Sequence, residues 1–512
     1  MGRSDEHAER TELLQLRERL NATLDANRPR AVESRHKRGY RTARENVHDL
    51  VDPDSWVEWG QLAVAAQRSR RSIDDLREST AADGILTGLA TVNALLVGKN
   101  RAQTVVICND YTVLAGTQGY FHHHKLDRAI LQAKSLLLPV VMFTEGGGGR
   151  PGDEDVRTQI AGLNYPSFRE WAGLGRLVPR ITVNHGYCFA GNAALFGAGD
   201  IRIATRASWI GMAGPAMIEG GGLGRFEPTD IGPAESQYRN GVVDILVEDE
   251  AQATAMAKQV LGYFQGPIAS SDVSSKVDLR DVIPQDRRWA YPVRNVIDAI
   301  VDDGSFTEIG RVRGRSVVTG FVRVNGVPMG LMANDCQQLG GAVDADAADK
   351  AARWYRLCQR FKLPLVSLTD TPGFMVGPDS EAQGAVTRMA AMFEAGAEFT
   401  QPLIAIFLRK GYGLGAMAMT GGSFAAPTYS AAWPTGEFGG MGLEGAVKLG
   451  YRKELDAIPD PAEKQARFDD LVSQLYEIGK ATEAAAHLEI DAVIDPRDTR
   501  AVITKILNAH GF

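Results

Sequence analysis

The sequence predicts an α/β fold built twice, as two tandem domains of similar layout in one chain of 512 residues. Three observations lead there. The first is a repeat. Asn109-Asp110 returns as Asn334-Asp335, Leu114 and Gly116 as Leu339 and Gly341, and Lys125 as Lys350. Leu138-Pro139 returns as Leu363-Pro364, Thr144 as Thr369, Gly148 as Gly373 and Gly186-Tyr187 as Gly411-Tyr412, each 225 positions on. A constant offset over such a span marks a duplicated structural unit. The second observation is the order of elements, which runs apolar segment, glycine cluster, helix in both copies, as α/β domains do. The third is glycine itself. It makes up 55 of 512 residues, about 11% against a usual ~7%, and it clusters after apolar runs, where backbone approaches a neighbour or ligand closely.

Taken in order, residues 5–27 place Leu13, Leu16 and Leu20 on one side of a charged helix, so residues 1–30 are expected to form a helical packing arm. The basic stretch Arg35–Arg44 follows, either a solvated face or a phosphate clamp. The first domain is assigned to 31–275. Residues 84–93 and 104–108 alternate or run apolar, as strands do. Residues 118–136 have the pattern of a helix. Leu137–Thr144 reads as a buried strand that empties into Glu145-Gly146-Gly147-Gly148-Gly149-Arg150. A further strand at 179–184 leads to a glycine loop beginning at Gly186 and then a helix of small residues. Residues 263–295, with Pro267, Pro284 and Pro292, read as a linker. The second domain is assigned to 276–512. Its strand Leu363–Thr369 ends in Asp370-Thr371-Pro372-Gly373-Phe374, and its strand Leu403–Leu408 leads into Arg409-Lys410-Gly411-Tyr412-Gly413-Leu414-Gly415. Residues 456–512 read as helical.

Composition excludes several classes. A net charge of −7 and a pI near 5.8 argue against a nucleic-acid binder. The four cysteines, Cys108, Cys188, Cys336 and Cys358, are scattered with no Cys-x-x-Cys spacing, so a zinc ribbon is not expected. No apolar run is long enough for a membrane span, and the charged first residues do not make a signal peptide. The expected setting is cytoplasmic, with reduced thiols.

A strand that ends in glycines and opens a helix aims free backbone N–H groups at one point. Such a point binds phosphate or an oxyanion. Two loops of this kind in each copy suggest a backbone oxyanion hole made twice, suited to a reaction that stabilises two similar charges. Neither Walker A nor a Rossmann fingerprint is present. Side-chain machinery is thin. His122-His123-His124 point in different directions on a helix, so no metal is expected. Asp370 reads as a base or as a cap of the next turn, and His185 as a structural or a catalytic histidine. The base is therefore expected to arrive with a cofactor.

Several motifs together resemble the carboxyltransferase (beta) subunit of biotin-dependent acyl-CoA carboxylases. They are H-x-R-G-x-x-T-A-R-E at 36–45, G-x-x-T-G-x-x-x-V-N at 84–93 and N-D-x-T at 109–112. T-P-G-F at 371–374, R-K-x-Y-G at 409–413, A-W-P-T at 432–435 and M-G-x-x-G-A-V at 441–447 complete the set. The resemblance runs over about residues 30–505 and implies two crotonase-like domains of spiral ββα units, in agreement with the repeat.

The resemblance also implies a site. Ala190 and Gly191 form the first oxyanion hole, on the acyl-CoA side, with Gly147 and Gly148 lining it. Leu414 and Gly415 form the second, on the biotin side, with Gly373 and Tyr412 nearby. Met417 falls at a position tied to acyl-chain choice, and an apolar, flexible Met suits an apolar chain. Arg38 and Arg44 are expected near the CoA phosphates. The implied reaction passes a carboxyl group from carboxybiotin to an acyl-CoA through an enolate, with no metal in this subunit. A biotin carboxylase and a biotin carrier (alpha) subunit are the implied partners, and a homo-oligomer, at least a dimer and commonly a hexamer, is the implied assembly. The chain departs from the family pattern at Gly146–Gly149, at Ala190 and at Leu414-Gly415. Three other readings stay open: a biotin-dependent acyl-CoA decarboxylase, a crotonase-type hydratase using Glu145, and a non-catalytic scaffold subunit.

Overall fold

A computed structural model of the chain describes residues 10–156, 163–269, 272–273, 275 and 277–512. The chain forms two compact units, residues 1–265 and 266–512, where the sequence reading placed its boundary at 275/276.

The first unit is built on a seven-stranded sheet in simple sequential order. Its strands are β1 (Val57–Trp59), β2 (Ile85–Thr91), β3 (Gln103–Asn109), β4 (Val140–Phe143), β5 (Arg180–Phe189), β6 (Ile201–Gly211) and β7 (Ile245–Val247). β1, β2 and β3 pair antiparallel, and β3 through β7 are parallel. Parallel neighbours need crossovers, which the helices after each strand supply. The helix Tyr120–Leu136 follows β3 and turns Leu126, Ala129, Ile130 and Ala133 onto the sheet. These side chains pack with Val105, Ile107, Val140, Met142 and Trp171.

The second unit repeats the plan with β8 (Thr307–Ile309), β9 (Val317–Val324), β10 (Val327–Asn334), β11 (Leu365–Thr371), β12 (Leu403–Tyr412), β13 (Tyr429–Ala432), β14 (Glu437–Gly439) and β15 (Ala492–Val493). The order is β15-β13-β12-β11-β10-β9-β8, with β14 beside the end of β12. Again the first three strands pair antiparallel and the rest parallel. β9 and β10 are joined by Asn325-Gly326, both at positive φ, the two-residue turn whose twist matches a hairpin. The helix Ala345–Arg360 follows β10. It is capped by Asp344, whose side chain accepts from the Ala347 amide at 2.7 Å, which satisfies one orphan donor.

Four expectations change. The N-terminal helix is Thr11–Asn21 and buries no residue, and Leu13 and Leu16 are exposed; residues 1–9 of the expected arm lie outside the described residues. The expected glycine loop at Gly186 is a strand. β5 slips register between Asn184 and Gly186 and then pairs with β6 as far as Phe189, because Gly186 at φ +73 accommodates the bulge. β12 likewise runs through Tyr412 rather than stopping at Leu408. The C-terminal region is helical at 461–478, 481–486 and 499–509, but Ala492–Val493 adds a strand to the sheet edge.

Candidate active site

Both units place an acid at the end of a central strand, directly before the glycines. In the first unit this is Glu145, which is buried. Arg35 grips it with two hydrogen bonds, Nη1 to Oε1 at 2.9 Å and Nη2 to Oε2. His185 Nε2 lies 3.1 Å from Glu145 Oε2 and 3.3 Å from Glu250 Oε1. In the second unit the acid is Asp370, 225 positions on. Arg409 Nη2 approaches its Oδ2 at 2.9 Å, the Tyr291 hydroxyl donates to Oδ2 at 2.8 Å, and the Lys410 amide donates to Oδ1 at 3.1 Å. Burial, then the Asp370 charge, pushes the Tyr291 phenol well above its usual range. Two buried acids, each matched by a buried guanidinium, are structural props. Asp370 and Glu145 thus each have their carboxylate oxygens committed to partners in the core.

The glycine loop of the first unit is pinned by its own backbone. The Gly146 amide donates to Tyr187 O at 2.7 Å and the Gly147 amide to Ala115 O at 3.0 Å. The Gly148 amide donates to the Asn192 side-chain oxygen at 3.0 Å, while Asn192 Nδ2 donates to Thr144 O at 3.2 Å. Sequence reasoning missed Asn192; a buried Asn in the first turn of a small-residue helix was the available signal. The turn itself is made by Ala190, at φ 52 and ψ −118. Its amide donates to Gly211 O at 3.0 Å, so Ala190 shapes the turn and does not present a free donor. Gly191 opens the helix Gly191–Gly197. Its amide and that of Gly149 have no hydrogen-bond acceptor among the described residues. Gly148 lies against Ala190, since a Cβ on Gly148 would stand 2.8 Å from Ala190 Cβ.

In the second unit the turn falls at Gly413 (φ +57), at the start of the helix Gly413–Met419. A Cβ on Gly413 would stand 2.9 Å from Gly440 O, which requires glycine. Gly415 lies directly on the other loop, for a Cβ there would stand 2.5 Å from Gly373 C and 2.7 Å from Phe374 N. The Gly373 amide is held by the Thr371 hydroxyl at 3.1 Å. The amides of Phe374, Leu414 and Gly415 have no acceptor among the described residues. The Leu414 side chain is exposed, so only its backbone is available to a site. Met417 is half-buried and lines a cavity of about 930 Å³ beside Phe424, Phe438, Met441 and Leu475. Tyr412, expected to touch substrate, is buried.

The basic stretch is mostly neutralised. Arg41 pairs with Asp49 at 2.8 Å, and Arg35 is committed to Glu145. Arg44 pairs with Glu58 at 2.8 Å and donates to Thr23 O at 3.0 Å. The second unit repeats the Arg44–Glu58 pair as Arg294 with Glu308, so Arg44 clamps the first strand in the same way as its counterpart. Arg38 is exposed and keeps its place as a candidate. The three histidines are accounted for structurally where they are buried. His122 Nε2 meets Asn109 Oδ1 at 3.1 Å, and His123 meets Ser167 Oγ at 2.8 Å. Burial holds the His122 imidazole well below its usual pKa and that of His123 down to about 4. No cluster of three metal-binding side chains occurs among the described residues, and no described helix is long and apolar enough to cross a membrane.

Two α/β units each set open amides at a helix start beside a glycine loop. The chain matches the carboxyl transferase domain over residues 34–510, and it belongs to that family, as a carboxyltransferase subunit of the biotin-dependent acyl-CoA carboxylase type with crotonase-like units. It is 32% identical to the methylmalonyl-CoA carboxyltransferase 12S subunit of Propionibacterium freudenreichii subsp. shermanii, over 94% of this chain and 90% of that one. It is 30% identical to the biotin-dependent long chain acyl-coenzyme A carboxylase beta4 subunit of Mycobacterium tuberculosis, over 98% and 95%. The structure of a single-chain, multi-domain long-chain acyl-CoA carboxylase superimposes with a TM-score of 0.92 at 56% identity. It covers 98% of this chain but 49% of that one, so this chain spans about half the length of that protein. The transcarboxylase 12S structure with methylmalonyl-coenzyme A bound superimposes at 0.84, with 29% identity over 99% and 97%.

Proposed function

We propose that this chain transfers a carboxyl group from carboxybiotin, presented by a partner carrier, to the α-carbon of an acyl-CoA through an enolate. The observation that carries this reading is the pair of glycine turns with open amides. The Gly191 amide, with that of Gly149, holds the thioester oxygen as it becomes negative. Leu414, Gly415 and Phe374 offer amides to the ureido oxygen in the same way. Fixed backbone donors need no reorganisation as charge develops, and each lowers the barrier by about 3–4 kcal/mol. At the two strand ends that carry the turns, Glu145, His185 and Asp370 are tied into ion-paired networks. That donor set fits a reaction whose base comes with biotin: when bound, biotin supplies the carboxyl group and then the proton acceptor.

The substrate we propose has an apolar acyl chain. Met417 and the apolar cavity beside it support this, as does the similarity to long-chain carboxylases. The same similarity supports a biotin carboxylase and a carrier as partners, and the 12S protein, described with a hexamer assembly, supports a homo-oligomer. The four unpaired, buried cysteines support a cytoplasmic setting. The chain is also 28% identical to the alpha subunit of a methylmalonyl-CoA decarboxylase of Veillonella parvula, which supports the decarboxylation direction as a second reading. The test is a reverse transfer assay, with purified chain, biotin or biotinylated carrier and a panel of carboxyacyl-CoAs of rising chain length, followed by mass spectrometry. Biotin-dependent decarboxylation that favours long chains is expected. Equal turnover without biotin refutes the reading.

A further inference from the structure

Beneath the second glycine turn lies a buried polar cluster that the proposed reaction does not use. β14 runs parallel to the end of β12, with Glu437 beside Lys410, Phe438 beside Gly411 and Gly439 beside Tyr412. Glu437 is 1% exposed and Tyr412 is 2% exposed. The Tyr412 hydroxyl faces the Glu437 carboxyl without an aligned hydrogen bond, and Tyr412 Oη and both Glu437 oxygens are without a hydrogen-bond partner. The nearest cation, Arg287, holds Nη1 3.6 Å from Glu437 Oε1 and spends Nη2 on Glu444 Oε1 at 2.5 Å. Buried polar atoms are nearly always paired, and an ionised carboxylate taken out of water without partners is expensive. A hydrogen bond from Tyr412 to Glu437 satisfies two of the three orphaned atoms.

This cluster adjoins the turn itself. Tyr412 is the residue immediately before Gly413, and Gly440, just past β14, presses its carbonyl on Gly413. A shift of Tyr412 therefore moves the Leu414 and Gly415 amides. Among the described residues the first unit has no such device. Its counterpart Tyr187 packs among the rings of Tyr111, Phe189 and Trp209 at 5.1–6.5 Å between centroids.

We propose that Tyr412 and Glu437 are positioning residues of the second glycine turn, and that the charge on Glu437 sets the alignment of the Gly413–Gly415 amides. The inference rests on the carboxyl-transfer reading for its kinetic consequence only. The groups that face Glu437 are Arg287, Glu444 in the helix after β14, Tyr412, and Lys410 and Arg409 on β12. Burial raises the Glu437 carboxyl above its ordinary range, against the pull of Arg287, Tyr412, Lys410 and Arg409. Burial, then Glu437, raises the Tyr412 phenol too, so Glu437 is the member of the pair that titrates. Its ionised form accepts from Tyr412 and draws Arg287 in; its protonated form loosens the turn.

The experiment compares the full chain with Glu437→Gln, Tyr412→Phe and the double variant. Hydrogen exchange of the segment 411–420, corrected for intrinsic rates, is followed against pH by mass spectrometry, and kcat and the KM for a carboxyacyl-CoA are measured in parallel. In the wild type, protection should rise as pH passes upward through the Glu437 titration, and kcat should show an acid limb at the same pH. Each single variant should flatten both profiles and lower kcat about tenfold, with acyl-CoA KM changed less than twofold, and the double variant should lose no more than the worse single. A group that only stabilises the fold would lower the melting temperature and leave the limb in place. Wild-type pH dependence kept in Glu437→Gln, or losses that multiply in the double variant, overturns the proposal. If the wild type shows no biotin-dependent turnover, the carboxyl-transfer reading fails and the exchange profile alone decides the positioning role.

Discussion

The contact between Gly415 and the Gly373–Phe374 loop offers the sharpest prediction. In Gly415→Ala the new Cβ would stand 2.5 Å from Gly373 C and 2.7 Å from Phe374 N. Carbon atoms prefer roughly 3.5–4.0 Å, so helix start and loop must part by about 1 Å. Both partners are backbone, and neither can swing aside as a side chain would. The amides of Phe374, Leu414 and Gly415 lie on the two sides of this contact, so their separation grows by the same amount. A misplacement of about 1 Å costs on the order of 100-fold in rate, and complete loss of one donor costs roughly 3–4 kcal/mol. The expected result is a kcat lower by about 100- to 1,000-fold, with acyl-CoA KM little changed. Reverse carboxyl transfer measures it, with circular dichroism and a thermal melt to show that the variant is folded. Two comparisons isolate the cause. Gly440→Ala puts a Cβ where nothing lies within 4 Å and should leave kcat near wild type. Gly191→Ala meets Gln118 Oε1 at 2.2 Å, the far end of a side chain that can turn away, and should lose far less than Gly415→Ala. A folded Gly415→Ala enzyme with kcat within twofold of wild type would refute the assignment of the second turn.

Ala190→Gly should raise the urea midpoint, because relieving the strain of φ 52 and ψ −118, about 1–3 kcal/mol, exceeds the ~0.4–1 kcal/mol that glycine adds to unfolded-chain entropy; kcat should not fall, since the residue-190 amide is bound to Gly211. Arg44→Met should cost about 3 kcal/mol of stability by stranding Glu58, with acyl-CoA KM unchanged, whereas Arg38→Ala should raise that KM with no loss of stability. Burial holds Lys350, which caps the Arg313 carbonyl at 2.7 Å, down to about 7 from 10.5. Between those values the unfolded chain binds its proton more tightly, so stability relative to Lys350→Met should rise with pH across that window, by up to about 1.4 kcal/mol per pH unit. A difference that falls with rising pH would contradict the burial.

The duplication, the α/β layout and the two glycine turns were all legible in the sequence, because period, spacing and glycine clusters are local signals. What was not legible depended on contacts between distant residues. Arg35 and Glu145 are far apart in sequence and meet in the core, and nothing near either marks the pairing. The basic stretch looked like one patch, yet Arg35, Arg41 and Arg44 each leave it for a different acid. The Gly186 bulge also lies beyond pattern reading, since a strand that slips register and continues looks the same as one that stops. Ala190 misled for a related reason. The family resemblance implied a donor there, but a positive-φ turn directs its amide back to Gly211.

The acids beneath the turns show which features of the duplicated plan are physically required. Glu145 and Asp370 occupy equivalent positions, and both are buried and matched by arginine. The arginines come from different places: Arg35 precedes the first sheet, while Arg409 sits on β12, the strand next to Asp370. The histidine at position 185 has Lys410 as its counterpart, and only the Lys410 amide touches the acid. Side-chain identities thus differ between the copies, while a charge-matched acid under the glycine loop is present in both. Such a prop restrains the strand end from which the loop departs, and amides that stabilise an anion are effective only when held in place before the charge appears. On that argument, breaking either pair should impair its own turn more than the other. Arg409→Met should weaken the biotin half-reaction, measured as decarboxylation of free carboxybiotin without acyl-CoA. Arg35→Met should leave that half-reaction intact and slow exchange of the acyl-CoA α-proton. Equal damage to both half-reactions by either variant would show that the acids serve general stability and not their own turns.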